Sequence, residues 1–193
     1  MIALLGGTFN PIHNGHLYIA EEALTAFSAE KVIFIPSREP PHRDEPVATP
    51  EQRADMVRLA IEGKEEFEFS DVELERPGPS YTIDTVKTII KYYPDDELGL
   101  IVGSDAFNSF TTWLHWEEIL EYCRLIVVNR DTGEPSKQSD ENIKPEHILT
   151  LEVDPCPVSA TQIRAFVAHG EPIDELVPEA VKQYIYDNKI YRS

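Results

Sequence analysis

Basic residues are scarce in this chain: 17 lysines and arginines stand against 35 aspartates and glutamates, a formal charge of −18 over 193 residues. A mean field of that sign repels phosphates, which argues against nucleic acid or an anionic membrane as a general partner. A small anionic substrate would then need a local basic pocket or a divalent cation. Cysteine is rarer still, with only Cys123 and Cys156 and no CxxC pair, so a reduced, cytoplasmic setting is expected. No apolar run approaches the roughly 18 residues that a membrane helix needs. Met1 leads into an apolar stretch with no basic n-region, and neither a signal peptide nor a membrane span is expected. Familiar phosphate motifs are missing as well. No G-K-[ST] is present and no lysine lies between Met1 and Lys31, which excludes a Walker A loop; G-x-G-x-x-G is absent too. No G-x-S-x-G supports a nucleophilic serine.

What is present is concentrated near the start. Residues 1–5 are an apolar run read as a buried strand. Then comes Gly6-Gly7-Thr8-Phe9-Asn10-Pro11-Ile12-His13-Asn14-Gly15-His16, and Leu17, Ile19, Ala20, Ala23, Leu24 and Phe27 recur at helical spacing. The pattern predicts a strand stopping at a Gly-Gly turn, a loop crossing Pro11, and a helix over 14–28. Open α/β sheets hold ligands beyond the carboxyl ends of their strands. Glycines let backbone approach a phosphate there, and helix N-terminal amides attract it. His13 and His16 are spaced to lie on one side of the first turn, as fixed donors for a phosphoryl group under attack.

The rest reads as one α/β domain spanning 1–193: a Rossmann-like, doubly wound domain whose mostly parallel sheet is flanked by helices, with a C-terminal helical part (about 159–193) packed on it. Lys31–Pro36, Leu98–Gly103, 124–130 and Ile148–Val153 are further strands, several continuously apolar as a doubly covered parallel sheet requires. Phe67, Phe69, Val72 and Leu74 suggest another strand, slipping phase once as at a bulge. Thr49, Pro50 and Gln52 open a helix in capping-box spacing with Met56, Leu59 and Ala60 inward. Thr82 reads as the cap of a helix over 83–92, with Thr85 three residues on. The loop 37–48 carries Arg38, His42 and Arg43, a positive spot in an acidic chain. Phe107, Phe110, Trp113, Trp116, Ile119 and Leu120 run through a mostly helical segment in which Trp116 reads as core and Trp113 stays open between core and ligand. Residues 131–146 are a polar surface loop. Ser159 caps a helix whose core face includes Ile163, Phe166 and Val167, and on which Thr161 and Arg164 share a face, able to grip phosphate or simply to be a capped start with a surface arginine. Pro178 begins a closing helix.

Taken alone, the His-x-x-His pair also has other readings. Zinc wants a third protein ligand, and the remaining histidines and the cysteines show no spacing toward it; a structural pair is a further alternative. Phosphate chemistry leads because Gly6-Gly7-Thr8 precedes the pair.

The opening G-G-T-F-x-P-x-H-x-G-H resembles the signature of the HxGH nucleotidyltransferases. Further stretches are similar, in order and spacing, to the nicotinate mononucleotide adenylyltransferases among them: Pro40-Pro41-His42-Arg43, Arg53 with Met56, Ser80-Tyr81-Thr82-Ile83-Asp84-Thr85, Gly103-Ser104-Asp105, Thr112-Trp113, Arg130 and the segment 158–164. The resemblance implies adenylyl transfer from ATP to nicotinate mononucleotide, giving deamido-NAD and pyrophosphate in NAD biosynthesis. His13, His16 and Arg164 would be catalytic. ATP would meet Gly7, Thr8, Phe9, His13 and His16, with Gly103 and Asp105 at the adenosine and Ser159, Thr161 and Arg164 at the leaving phosphates. Mg²⁺ would come with ATP, held by its phosphates and by no protein ligand. Trp113 would stack on the pyridine ring, backbone amides around Thr85 would receive its carboxylate, and His42 and Arg43 would lie near its phosphate. Ser80, Tyr81, Thr82 and Arg130 go with the same substrate. Three positions depart from the pattern: Asn10 for a frequent aspartate, Arg43 for lysine, and Ala160 for the middle residue of Ser-Ser-Thr. Other acceptors within the superfamily (nicotinamide mononucleotide, phosphopantetheine), use of CTP, and a non-catalytic ATP sensor remain as alternatives. A homo-oligomer is allowed by the sequence.

Overall fold

The computed structural model describes residues 1–39, 46–130 and 142–192. Six strands, β1 (Ile2–Gly7), β2 (Lys31–Pro36), β3 (Phe67–Phe69), β4 (Leu98–Gly103), β5 (Cys123–Arg130) and β6 (Ile148–Val153), form one sheet in the order β3-β2-β1-β4-β5-β6. Every pairing is parallel. Helices α1 (Asn14–Phe27), α2 (Pro50–Ile61), α3 (Thr82–Tyr92), α4 (Ser104–Asn108), α5 (Trp116–Tyr122), α6 (Ala160–His169) and α7 (Glu179–Asp187) supply the crossovers and the closing segment.

Strand alternation explains why helices cover both faces. Along β1 and β2, Ala3, Leu5, Val32 and Phe34 join a core with residues of α1, α2, α6 and α7. Their neighbours Ile2, Leu4, Ile33 and Ile35 join the opposite core with α3, α4 and α5. Successive side chains of a strand point to opposite faces, so a continuously apolar strand has two layers to bury against. The expected doubly wound α/β domain is therefore what forms. No helix among the described residues is long and apolar enough to cross a membrane.

Three local expectations change. The first strand does not stop before the glycines: Gly6 pairs with Ile35 and Gly7 with Pro36, so β1 runs to the threshold of the site. The strand expected over 67–74 ends at Phe69. Ser70 N–H still donates to the Phe34 carbonyl at 3.0 Å, after which the chain turns and Glu75 N–H donates to Asp71 O. In that turn Glu73 is buried while Val72 and Leu74 are only half-buried, the reverse of an apolar-in alternation. Finally, the cap of α3 is Tyr81 and not Thr82, because the Tyr81 carbonyl accepts from Asp84 N (3.1 Å) and Thr85 N (3.4 Å).

Candidate active site

The order 3-2-1-4-5-6 reverses direction between β1 and β4. Ligands bind in open α/β sheets at such a switch point, beyond the carboxyl ends of the strands. A cavity of about 250 Å³ lies there, walled by Gly6, Gly7 and Thr8 from β1 and its loop, by Ile35 and Ser37, and by Leu100–Val102 from β4. Across it stand Ser80, Tyr81, Thr82 and Thr85 at the start of α3, and half-buried Trp113. Residues from separate parts of the sequence thus share one space. Trp113 belongs to core and cavity at once: its ring packs 5.2 Å from Phe110 and also lines the cavity.

The loop from Thr8 to His13 leads into α1. Phe9 holds φ 48, a left-handed conformation unusual for an aromatic residue, and its buried ring fills the space over Gly7. A Cβ on Gly7 would come within 3.1 Å of that ring. His13 is the N-cap of α1, and its backbone N–H donates to Nδ1 of His16 at 3.2 Å. The two imidazoles stack at 3.7 Å with 26° between planes, and Phe9 meets His16 edge-on at 5.1 Å. Because Nδ1 of His16 accepts, the hydrogen of its neutral ring sits on Nε2. The spacing of three therefore does bring both rings together.

Gly15 is required for this stack. A Cβ there would press within 3.1 Å of the His13 ring and 3.5 Å of Cys156 Sγ. Gly15→Ala should therefore displace His13 by a few tenths of an ångström and lower kcat on the order of tenfold, as misplaced reacting groups do. Steady-state kinetics with a melting curve would check it; unaltered kcat in the folded variant would show the ring position is not critical.

Arg164 reaches from α6 to the same loop. Its Nη1 donates to the Asn10 carbonyl at 2.9 Å and its Nη2 to Thr161 Oγ1 at 3.2 Å. Ser159 uses its hydroxyl as the cap, accepting from Gln162 N at 3.2 Å. The histidine pair sits at the N-terminus of α1, and α6 reaches the loop before it through Arg164. Both helices lack an acidic residue in the first turn, whereas α2, α3, α4, α5 and α7 each carry at least one. In so acidic a chain, that keeps two positive dipole ends uncompensated for an anion.

Other predicted residues sit further out. Gly103 and Asp105 are exposed at the end of β4 and the start of α4, on the same sheet edge but not in the cavity wall. Arg130 is the last residue of β5. His42 and Arg43 lie outside the described residues, as does most of the loop expected over 131–146. The Thr85 amide is engaged with Tyr81 O and its hydroxyl with Glu73. Among the described residues no group of three or more His, Cys, Asp or Glu side chains could hold a metal ion. Burial pushes the Cys123 thiol up to about 12, keeping it un-ionised.

Four residues at the site carried no role in the sequence reading. Arg53 of α2 is fully buried, and its guanidinium donates to the carbonyls of Thr8 (2.7 Å), Ser37 (2.6 Å), Arg38 (3.1 Å) and Ala48 (3.3 Å). It clamps the loops after β1 and β2 to each other. Ser37 is buried on the cavity wall, and its hydroxyl has no hydrogen-bond partner among the described residues. Tyr191, buried near the C-terminal end, donates to Asn10 Oδ1 at 2.8 Å. The asparagine that departs from the family pattern is thus held through its side-chain oxygen by Tyr191 and through its backbone carbonyl by Arg164. Glu73 is a buried acid in the cavity wall. Local spacing announces none of these partnerships: Arg53 and Thr8 are 45 residues apart, Tyr191 and Asn10 are 181 apart.

Comparison with known proteins gives the class: residues 4–166 match the cytidylyltransferase-like family. A "Probable nicotinate-nucleotide adenylyltransferase" of Dictyoglomus thermophilum is 43% identical over 192 residues, covering 98% of each chain. One of Hydrogenovibrio crunogenus, with the same name, is 37% identical over 205 residues, covering 100% of this chain and 98% of that one. The chain belongs to the nicotinate-nucleotide adenylyltransferase family. In fold it is similar to the Plasmodium falciparum nicotinic acid mononucleotide adenylyltransferase complexed with NaAD, with a TM-score of 0.76, 16% identity, and coverage of 98% and 96% of the two chains.

Proposed function

We propose that this chain transfers the adenylyl group of ATP to nicotinate mononucleotide, releasing pyrophosphate and forming deamido-NAD. The observation that carries the reading is the switch-point cavity, shared by the Gly7-Thr8 turn and by Trp113, next to a stacked histidine pair at an acid-free helix start. An oxygen of the mononucleotide phosphate attacks the α-phosphorus of ATP in line; the new P–O bond forms as the bond to the β-phosphate breaks, and the electron pair leaves with pyrophosphate. No protein nucleophile takes part, so the barrier falls through positioning and charge stabilisation. His13 and His16 donate to the α- and β-phosphate oxygens, while Thr161 and Arg164 hold the departing phosphates. Gly7, Thr8 and Phe9 shape the phosphate turn, Ser159 orients α6, and Gly103 and Asp105 contact the adenosine.

On the acceptor side, Ser80, Tyr81, Thr82 and Thr85 hold the pyridine nucleotide, assisted by His42, Arg43 and Arg130. The unpartnered Ser37 hydroxyl offers the same ligand a hydrogen bond. Mg²⁺ would come with ATP, held by its phosphates, and would offset the triphosphate charge. The setting we infer is cytoplasmic, where thiols stay reduced, and both cysteines are free.

Pyrophosphate release with ATP and nicotinate mononucleotide tests the reaction, and its absence would refute it. Trp113→Ala tests the subsites. Loss of stacking on a cationic ring should raise KM for the pyridine nucleotide by roughly tenfold or more, with far less effect on KM for ATP. Equal effects on both would assign Trp113 to the core alone.

A further inference from the structure

Glu73 is 8% exposed, yet it lies on the cavity wall beside Thr85. Its Oε1 accepts from Thr85 Oγ1 at 2.7 Å, and that hydroxyl oxygen in turn accepts from Arg76 Nη2 at 3.1 Å. Among the described residues, the groups that face Glu73 are few. Arg76 comes from its own turn, Thr85 from α3, and Ser80 from just before that helix. Arg38, beyond β2, directs its guanidinium to the carbonyl of Leu74. From β1, β2 and β4 the cavity receives Gly6, Gly7, Thr8, Ser37 and aliphatic residues, none ionisable near neutral pH.

A threonine hydroxyl has a single hydrogen. When Glu73 is ionised, that hydrogen goes to the carboxylate, and Thr85 can offer a ligand only a lone pair. When Glu73 is protonated, it can donate to Thr85 and free the Thr85 hydrogen, which then has only the Tyr81 carbonyl, at a long 3.4 Å, to compete with a ligand in the cavity. We propose that Glu73 is a positioning residue whose protonated form makes the Thr85 hydroxyl a donor to the carboxylate of the pyridine nucleotide, and so sets the preference for nicotinate over nicotinamide mononucleotide. The inference rests on the adenylyl-transfer reading above.

The ionised form acts in the opposite sense twice over. It repels a second carboxylate in the cavity, and it accepts from the N–H₂ of a carboxamide. Burial raises the Glu73 carboxyl above its ordinary range, against smaller downward pulls from Thr85, Ser80 and Arg76. The proton is therefore retained further into the pH range than on a surface glutamate, and it is lost as pH rises. Preference for nicotinate falls in that direction.

The test is kcat/KM for each mononucleotide with saturating ATP, from mildly acid to mildly alkaline pH. The mononucleotide phosphate titrates alike in both substrates, so the nicotinate-to-nicotinamide ratio cancels it. The ratio should fall by up to about tenfold per pH unit above the Glu73 pKa, with the change in KM. Glu73→Gln presents a permanent N–H donor to Thr85 and should flatten the ratio near its acid value. A pH-independent ratio in the unsubstituted enzyme, or a slope that survives in E73Q, would overturn the proposal. Should E73Q not fold, the unsubstituted profile still decides, and Thr85→Val should lower the ratio at acid pH; an unchanged ratio there also counts against it. Failure to turn over either mononucleotide would sink the underlying reaction instead, a distinguishable result.

Discussion

Replacing His16 with alanine should lower kcat by roughly 10²–10³ while the protein stays folded, the range for removing one donor that acts in the transition state. The geometry separates this role from a structural one. Among the contacts His16 makes with the fold are a hydrogen bond accepted at Nδ1 from the His13 N–H and ring contacts with Phe9 and His13. Such a bond contributes about 1 kcal/mol, too little to unfold a domain of this size. The hydrogen on Nε2, fixed there by the bond at Nδ1, is what catalysis loses. Kinetics at saturating ATP, with a melting curve on the same sample, would decide. A folded His16→Ala enzyme with undiminished kcat would remove the histidine pair from the mechanism.

The second large effect is on stability. Arg53→Met should cost about 3 kcal/mol or more, because four carbonyls lose a charged donor, two of them on the buried residues Ser37 and Ala48, and each buried group left unpaired costs about 1–3 kcal/mol. Burial works against the arginine's charge, so methionine recovers part of the loss, but it cannot satisfy oxygens on Thr8, Ser37, Arg38 and Ala48. Lysine should not rescue it: one ammonium lacks the planar fork that reaches three segments at once. Urea denaturation of both variants would measure this, and a loss below about 1 kcal/mol would show that water replaces the guanidinium. Activity should fall as well, since the clamp joins the turn at Thr8 to the cavity wall at Ser37.

Much of the fold was legible because its signals are local. Unbroken apolar strands such as Lys31–Pro36, separated by amphipathic helices, leave a parallel sheet covered on both faces as the simplest way to bury them. The histidine pair was legible for the same reason: three residues at a helix start are neighbours whatever else happens. Where alternation was trusted too far it failed. The run from Phe67 to Leu74 turned after Phe69, and Glu73 went inward because Thr85 and Ser80 offered it partners that no spacing within the run announces. The acid-free starts of α1 and α6 were readable from sequence, but the link between the two helices, Arg164 donating to the Asn10 carbonyl, was not.

The sequence by itself determined the order of strands and helices, the pairing of His13 with His16 at a helix start and the family, because those depend on residues a few positions apart. Tertiary structure alone decided that Arg53 would tie two loops, that Tyr191 would hold Asn10, and that the Glu73 carboxyl would meet Thr85 in the cavity wall. Contacts of that kind are made when the chain closes on itself, and a buried polar group takes whichever partner the closed packing brings within reach.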